Sequence, residues 1–291
     1  MGKRLLSAID YITIGYASWI LLYMSLGFNR AVEPMMHLPV YAAIITAILL
    51  LAHWDRNCQS PRLKRLLKFV RSIYPVMLFG YFFISLQAVN RIIFPQWLDP
   101  FFARIDYSIF GYYPSLEWGR TFGTPWISEL YHFAYFCYYP MIGGLPLYFY
   151  FKDKKVFGEI IFTLAFVFYS CYFLFSILPV IGGRYFPEAM ALTKVYQGGP
   201  FTHIMALIYN LSTHLGGAFP SSHVAIAITL TISALRHTKV WGMVFLYITM
   251  FLAIATVYCH YHWFIDMVAG VFAGIGGYYL ALWAYRKLET T

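Results

Sequence analysis

Apolar positions run almost unbroken through eight stretches, near residues 8–28, 38–54, 73–94, 128–151, 156–179, 220–236, 240–259 and 264–285. A helix needs about 20 largely apolar residues to cross the hydrocarbon core of a bilayer. The pattern therefore predicts an all-α integral membrane protein with about eight transmembrane helices, the second and sixth of them short. Two longer polar segments interrupt it, at 95–127 and 180–219. The first contains FPQWLDPFFARIDYSIFGYYP, whose aromatic residues suit the headgroup zone. The second contains FTHIMALIYNLST between GGP and HLGG, which predicts a short interfacial helix rather than a crossing.

Composition agrees. Hydrophobic residues make up 60% of the 291-residue chain, aromatic residues 21% and charged residues 11%, against about 25% charged in a soluble domain. The net charge of +9 sits in short clusters between apolar runs, not in a basic patch with interleaved aromatics, so nucleic acid is excluded as a partner. The four cysteines, Cys58, Cys137, Cys171 and Cys259, stand too far apart for a C-x-x-C site or a disulfide framework. MGKRLL opens the chain like the charged region of a signal peptide, but the apolar part is long and no A-x-A-like cleavage site follows. It reads as an uncleaved first helix, and Leu6 breaks the myristoylation pattern.

Eight crossings put both termini on one side. That side holds Lys3 and Arg4, the run DRNCQSPRLKRLLKFVRS, KDKK at 152–155, RHTK at 236–239, and Arg286 with Lys287: 15 of the 21 Lys and Arg. Arg30, Arg91, Arg104, Arg120, Arg184 and Lys194 fall on the other. Cytoplasmic loops carry the Lys/Arg excess, so the termini are expected in the cytoplasm and the two long loops outside.

Three places on the outer side hold chemistry. ILPVIGGRYFP puts Arg184 behind two glycines, just past the fifth helix. GAFPSSHVAIAITL opens the sixth helix with Pro220, Ser221, Ser222 and His223. A helix N-terminus offers unpaired N–H groups, proline suits its first position, and hydroxyls add donors, which together make an anion site. An ordinary N-cap accounts for the serines equally well. In VYCHYHWFIDMVAG, His262 and Asp266 are four apart, in side-chain reach on one helix face. A carboxylate there can orient an imidazole whose other nitrogen attacks phosphorus; a satisfied polar pair at a helix end is the alternative. A metal site built from His223, His260, His262 and Asp266 lacks a recognised ligand spacing. The three segments share one side, at the ends of adjacent helices.

In this order, Arg184, PSSH at 220–223 and H-x-x-x-D at 262–266, the motifs resemble those of the type 2 phosphatidic acid phosphatase (PAP2) superfamily. The resemblance implies a six-helix catalytic core in residues 73–291, preceded by two helices and a basic loop in residues 1–72. It implies that His262 is a nucleophile forming a phosphohistidine, that Asp266 orients it, and that His223 protonates the leaving oxygen. Arg184, Ser221 and Ser222 would grip the phosphoryl oxygens, with no metal or cofactor. The family's first motif would have Lys at Ile177 and Pro at Tyr185, its second a glycine at Ser222, and its third an Arg at Thr256. Protonated His260 is the substitute expected for the lost cationic grips, with a packing residue as the alternative. These departures, with IDYSIFGYYPSLEW, are similar to the branch that includes inositol phosphorylceramide synthases. The activity implied is a lipid phosphatase working at the extracytoplasmic face on a membrane lipid, with no protein partner. The alternatives are a lipid phosphotransferase and, in another class, a transporter of an anionic lipid or solute, although transporter sites favour the bilayer midplane.

Overall fold

A computed structural model describes residues 5–189, 191, 198–211 and 214–290. Lys3, Arg4 and Lys194, used above for sidedness, and Ser212 and Thr213, which end the expected interfacial helix, lie outside the described residues. The described chain is helical. It runs through α1 (Ala8–Leu26), α2 (Pro34–Asn57), α3 (Pro61–Ser85), α4 (Asp99–Phe110), α5 (Pro114–Thr121) and α6 (Pro125–Phe136). Then come α7 (Tyr138–Lys152), α8 (Lys154–Ile177), α9 (Pro200–Leu211), α10 (Ser222–His237), α11 (Lys239–Tyr258) and α12 (Phe264–Thr290).

Among the described residues, six helices are long and apolar enough to cross a membrane: α1, α2, α3 with the turn that extends it to Ala88, α8, α11 and α12. The chain is a multi-pass membrane protein. The two remaining expected crossings differ from the reading above. The stretch 128–151 is two helices, because Pro140 has no N–H to offer the Phe136 carbonyl and α6 ends there. Helix α10 has 16 residues, about 24 Å at the helical rise and short of a full crossing. Helix α3 starts well ahead of 73, with Ser60 as N-cap and Pro61 in its first turn, so the basic segment RLKRLLKFVRS is itself helical. The expected short helix is α9, and the aromatic loop before the fourth crossing folds into α4 and α5.

Helix α8 is the axis, packed against α1, α3, α7, α10 and α12. Helix α2, by contrast, buries only Tyr41, Ile48 and Ala52 and leaves Met35, Leu50 and Trp54 exposed, as expected where the solvent is lipid. Helices α10 and α12 lie close together because α12 turns Gly270 and Gly274 toward α10. A Cβ at these positions would come 2.6 Å from the Ser221 carbonyl oxygen and 2.7 Å from that of Ala225. This contact brings the start of α10 beside the start of α12, where the candidate chemistry lies.

Candidate active site

Three loops meet at one end of the bundle: the segment after α8, the segment before α10, and the turn Cys259–Trp263 between α11 and α12. Backbone bonds of 2.9 Å join them. The Ala218 N–H donates to the Val180 carbonyl, and the Ser221 N–H to the carbonyl of Asp266, in the first turn of α12 just past the third loop. Gly182 has φ +90, and at Gly183 an added Cβ would lie 3.0 Å from the His260 carbonyl oxygen. Only glycine lets the Arg184 loop run so close to the His262 turn.

Two buried carboxylates from α4 clamp these loops. Asp99 accepts from the Ile181 N–H at 3.0 Å, the Gly182 N–H at 2.8 Å and the Trp263 indole N–H at 2.9 Å. Asp106 accepts from the Phe264 and Ile265 N–H groups at 2.7 and 3.0 Å, which are among the orphan donors of the first turn of α12. Burial pushes both carboxyl groups above the usual range, and these N–H donors pull them back.

Beneath the clamp lies a cavity of about 120 Å³, and Arg184, His214, His223 and His262 all line it. The His262 Nδ1–H donates to the Ala218 carbonyl at 2.9 Å, which leaves the lone pair on Nε2. Burial, then His223, then Arg184 push this imidazole down to about 3, while the Ala218 carbonyl acts the other way. The ring is therefore neutral at ordinary pH. The His223 ring centre is 6.1 Å from that of His262 and is packed between Tyr138 and Tyr135, at 4.4 and 4.8 Å. The Arg184 guanidinium lies over the Tyr209 ring of α9 at 4.5 Å, and its buried Nε has no partner. A guanidinium and imidazoles around one small space can hold a tetrahedral anion and transfer its phosphoryl group.

The other expected site residues are placed differently. The Asp266 Oδ2 is 3.6 Å from the His262 Nδ1, beyond a hydrogen bond, and accepts instead from the Trp263 N–H at 2.9 Å, capping its own helix. Its buried Oδ1 has no partner. Pro220 does not open α10. Ser221 is the N-cap and accepts from the Val224 N–H at 3.5 Å, so its hydroxyl is spent on the helix start. Ser221 and Ser222 are buried and do not line the cavity. His260 is not brought to the cavity either. Its backbone has φ +63, which turns the ring away, and its Nδ1–H donates to the Ser115 carbonyl. Among the described residues, no three His, Cys, Asp or Glu side chains are grouped as metal ligands would be.

The PAP2 superfamily model matches residues 102–280, more than half of the chain. The chain belongs to the PAP2 superfamily. No curated protein and no solved structure matches it. The PAP2 match spans all three site loops, and membership carries phosphatase or phosphotransferase chemistry at that coarse level.

Three residues in or around this PAP2 site are absent from the motif reading. Asp99 and Asp106 had a signal, as two carboxylates seven apart on one helix face in a chain with 12 acidic residues. His214 had none, since it sits in an irregular segment before α10. Its ring packs on Phe83 at 4.2 Å beside Gly217, where a Cβ would meet it at 3.2 Å.

Proposed function

We propose that this protein is a membrane lipid phosphatase that cleaves a lipid phosphate or diphosphate through a phosphohistidine at His262. The observation that carries this reading is the His262 tautomer: Nδ1–H is committed to the Ala218 carbonyl, so Nε2 is free to attack. Nε2 attacks phosphorus, the bond from phosphorus to the lipid oxygen breaks, and that oxygen takes a proton from His223 in its imidazolium form, which the negative charge of the bound phosphate favours. Water then returns a proton to His223 and attacks the phosphohistidine, releasing phosphate and restoring His262. Arg184 balances charge on the phosphoryl oxygens, and the Asp266 carboxylate at 3.6 Å opposes the positive charge that His262 gains. Ser221 and Ser222 support the cradle through the start of α10, and His260 through the turn it anchors. The reading includes eight crossings, with α6–α7 and α10 completing the six, cytoplasmic termini, and the cavity on the extracytoplasmic side. The division between the two leading helices and the catalytic core falls ahead of α3, which runs unbroken from Pro61.

One observation favours a second reading, transfer to a lipid hydroxyl. Arg184 is the one Lys or Arg among the described residues lining the cavity, and one fixed charge suits a phosphodiester better than a dianionic monoester. The purified protein in detergent–lipid micelles, offered phosphatidate, a polyprenyl diphosphate, phosphatidylglycerol phosphate, or phosphatidylinositol with ceramide or diacylglycerol, separates the two. Phosphate release marks the phosphatase, and a new phospholipid without phosphate marks the transferase. Turnover surviving in His262→Ala would overturn both.

A further inference from the structure

A second cavity, of about 480 Å³, opens at the other end of α8, where α1, α3 and α8 begin and α2, α7 and α12 end. It lies on the order of 30 Å from the histidines, nearly the length of α8. Its walls are apolar, formed by Ile9, Phe157, Ile161 and Phe162, and its rim carries Arg65, Lys68 and Lys154. Arg65 and Lys68 are three apart and share a face of α3. Lys154 opens α8 opposite them, over the Tyr150 ring.

The deeper cation is already committed. Arg71 donates to Asp55 at 2.7 Å and to Asp10, and Asp10 also accepts the Tyr74 hydroxyl at 2.8 Å. Two carboxylates outweigh that charge by one, and with the rim acid Glu289 they leave two negative charges against the three positive ones of Arg65, Lys68 and Lys154, so the cavity mouth stays net positive.

Cationic groups above an apolar wall at a membrane boundary fit an anion carried on hydrocarbon. We propose that this cavity binds an anionic phospholipid, with its phosphate on Arg65, Lys68 and Lys154 and the start of an acyl chain over Phe157 and Ile161. A free anion leaves the apolar wall uncovered, and a zwitterionic lipid sets its own cation against the rim. An occupant ties α1 and α3 to α8 and α12, so it stabilises the bundle without touching the catalytic loops.

The test titrates the purified full chain with phosphatidylglycerol, and with phosphatidylcholine of the same acyl chains, by native mass spectrometry and thermal unfolding in micelles. Phosphatidylglycerol is expected to be retained and to raise Tm, and phosphatidylcholine to do neither. Lys68→Gln with Lys154→Gln is expected to weaken phosphatidylglycerol binding roughly 30-fold, from the contribution of each basic group near an anionic lipid. Arg65→Gln repeats the measurement if the double variant unfolds. His262→Ala is expected to bind phosphatidylglycerol as the wild type does, which separates this site from the catalytic reading. Equal retention of the two lipids, unchanged affinity in the rim variants, or loss of binding in His262→Ala would overturn the proposal. Displacement by inorganic phosphate at matching concentration would also overturn it, marking a free-anion site.

Discussion

The Trp263 indole N–H donates to Asp99 Oδ1 at 2.9 Å, and through that bond one carboxylate reaches two of the loops around the cavity at once. The same oxygen accepts from the Gly182 N–H at 2.8 Å, two residues before Arg184, while Trp263 directly follows His262. In the proposed mechanism Asp99 is therefore the positioning residue that sets the spacing between the Arg184 guanidinium and the His262 imidazole.

Asp99→Ala leaves these buried donors without an acceptor, at about 1–3 kcal/mol each. The variant is expected to lose at least about 3 kcal/mol of stability and most activity. Asp99→Asn, which keeps one acceptor oxygen, should fall between. Thermal unfolding in micelles alongside lipid turnover checks this, and wild-type activity in Asp99→Ala would remove the clamp from the account.

Arg184→Lys keeps the charge but loses the planar fork that lies over Tyr209. Its kcat/KM is expected to fall about 100-fold, or about 2.7 kcal/mol, with Tm little changed. A drop below tenfold would mean that charge alone suffices.

Gly182→Ala puts a Cβ at φ +90 against the Tyr261 carbonyl group and the His262 Cα. The backbone conformation, φ +90 with ψ −162, is nearly restricted to glycine and alone costs about 1–3 kcal/mol, and the contact parts the two loops. Turnover should fall much further than stability, measured in the same micelles. Equal losses would point to general unfolding instead.

Acid should loosen the fold through its buried imidazoles. His262 and His214 are held down to about 3 and about 4, in each case chiefly by burial, against an ordinary value near 6.5. The folded chain binds fewer protons than the unfolded chain below pH 6.5, so their contribution is complete above that pH and is lost as pH falls. Between pH 7 and 5 each costs about 2 kcal/mol. His214→Gln, which does not titrate, is expected to lose less Tm over that interval than the wild type. An identical loss in the two proteins would contradict a neutral buried His214.

The apolar runs and the order of the three motifs were legible because each depends on neighbours in sequence. The two short or broken crossings were less so. Pro140 stands in plain view in YYPMIGG, but a hydropathy pattern is blind to a missing N–H. The roles of individual polar groups depended on distant partners. His262 donates to a carbonyl 44 residues away, which Asp266, four residues on, was expected to replace. His260 has the right chemistry for a phosphate grip, and only its left-handed backbone turns it toward Ser115.

The clamp also fixes an order of assembly. Asp99 and Asp106 precede their donors on Trp263, Phe264 and Ile265 by 158 to 164 residues, so they leave the ribosome long before the last of those donors is made. A chain cut ahead of Phe264 can insert most of its crossings and still hold an unfinished site, with Asp106 lacking both of its N–H donors. Insertion of the last helix is what turns a set of membrane hairpins into an enzyme.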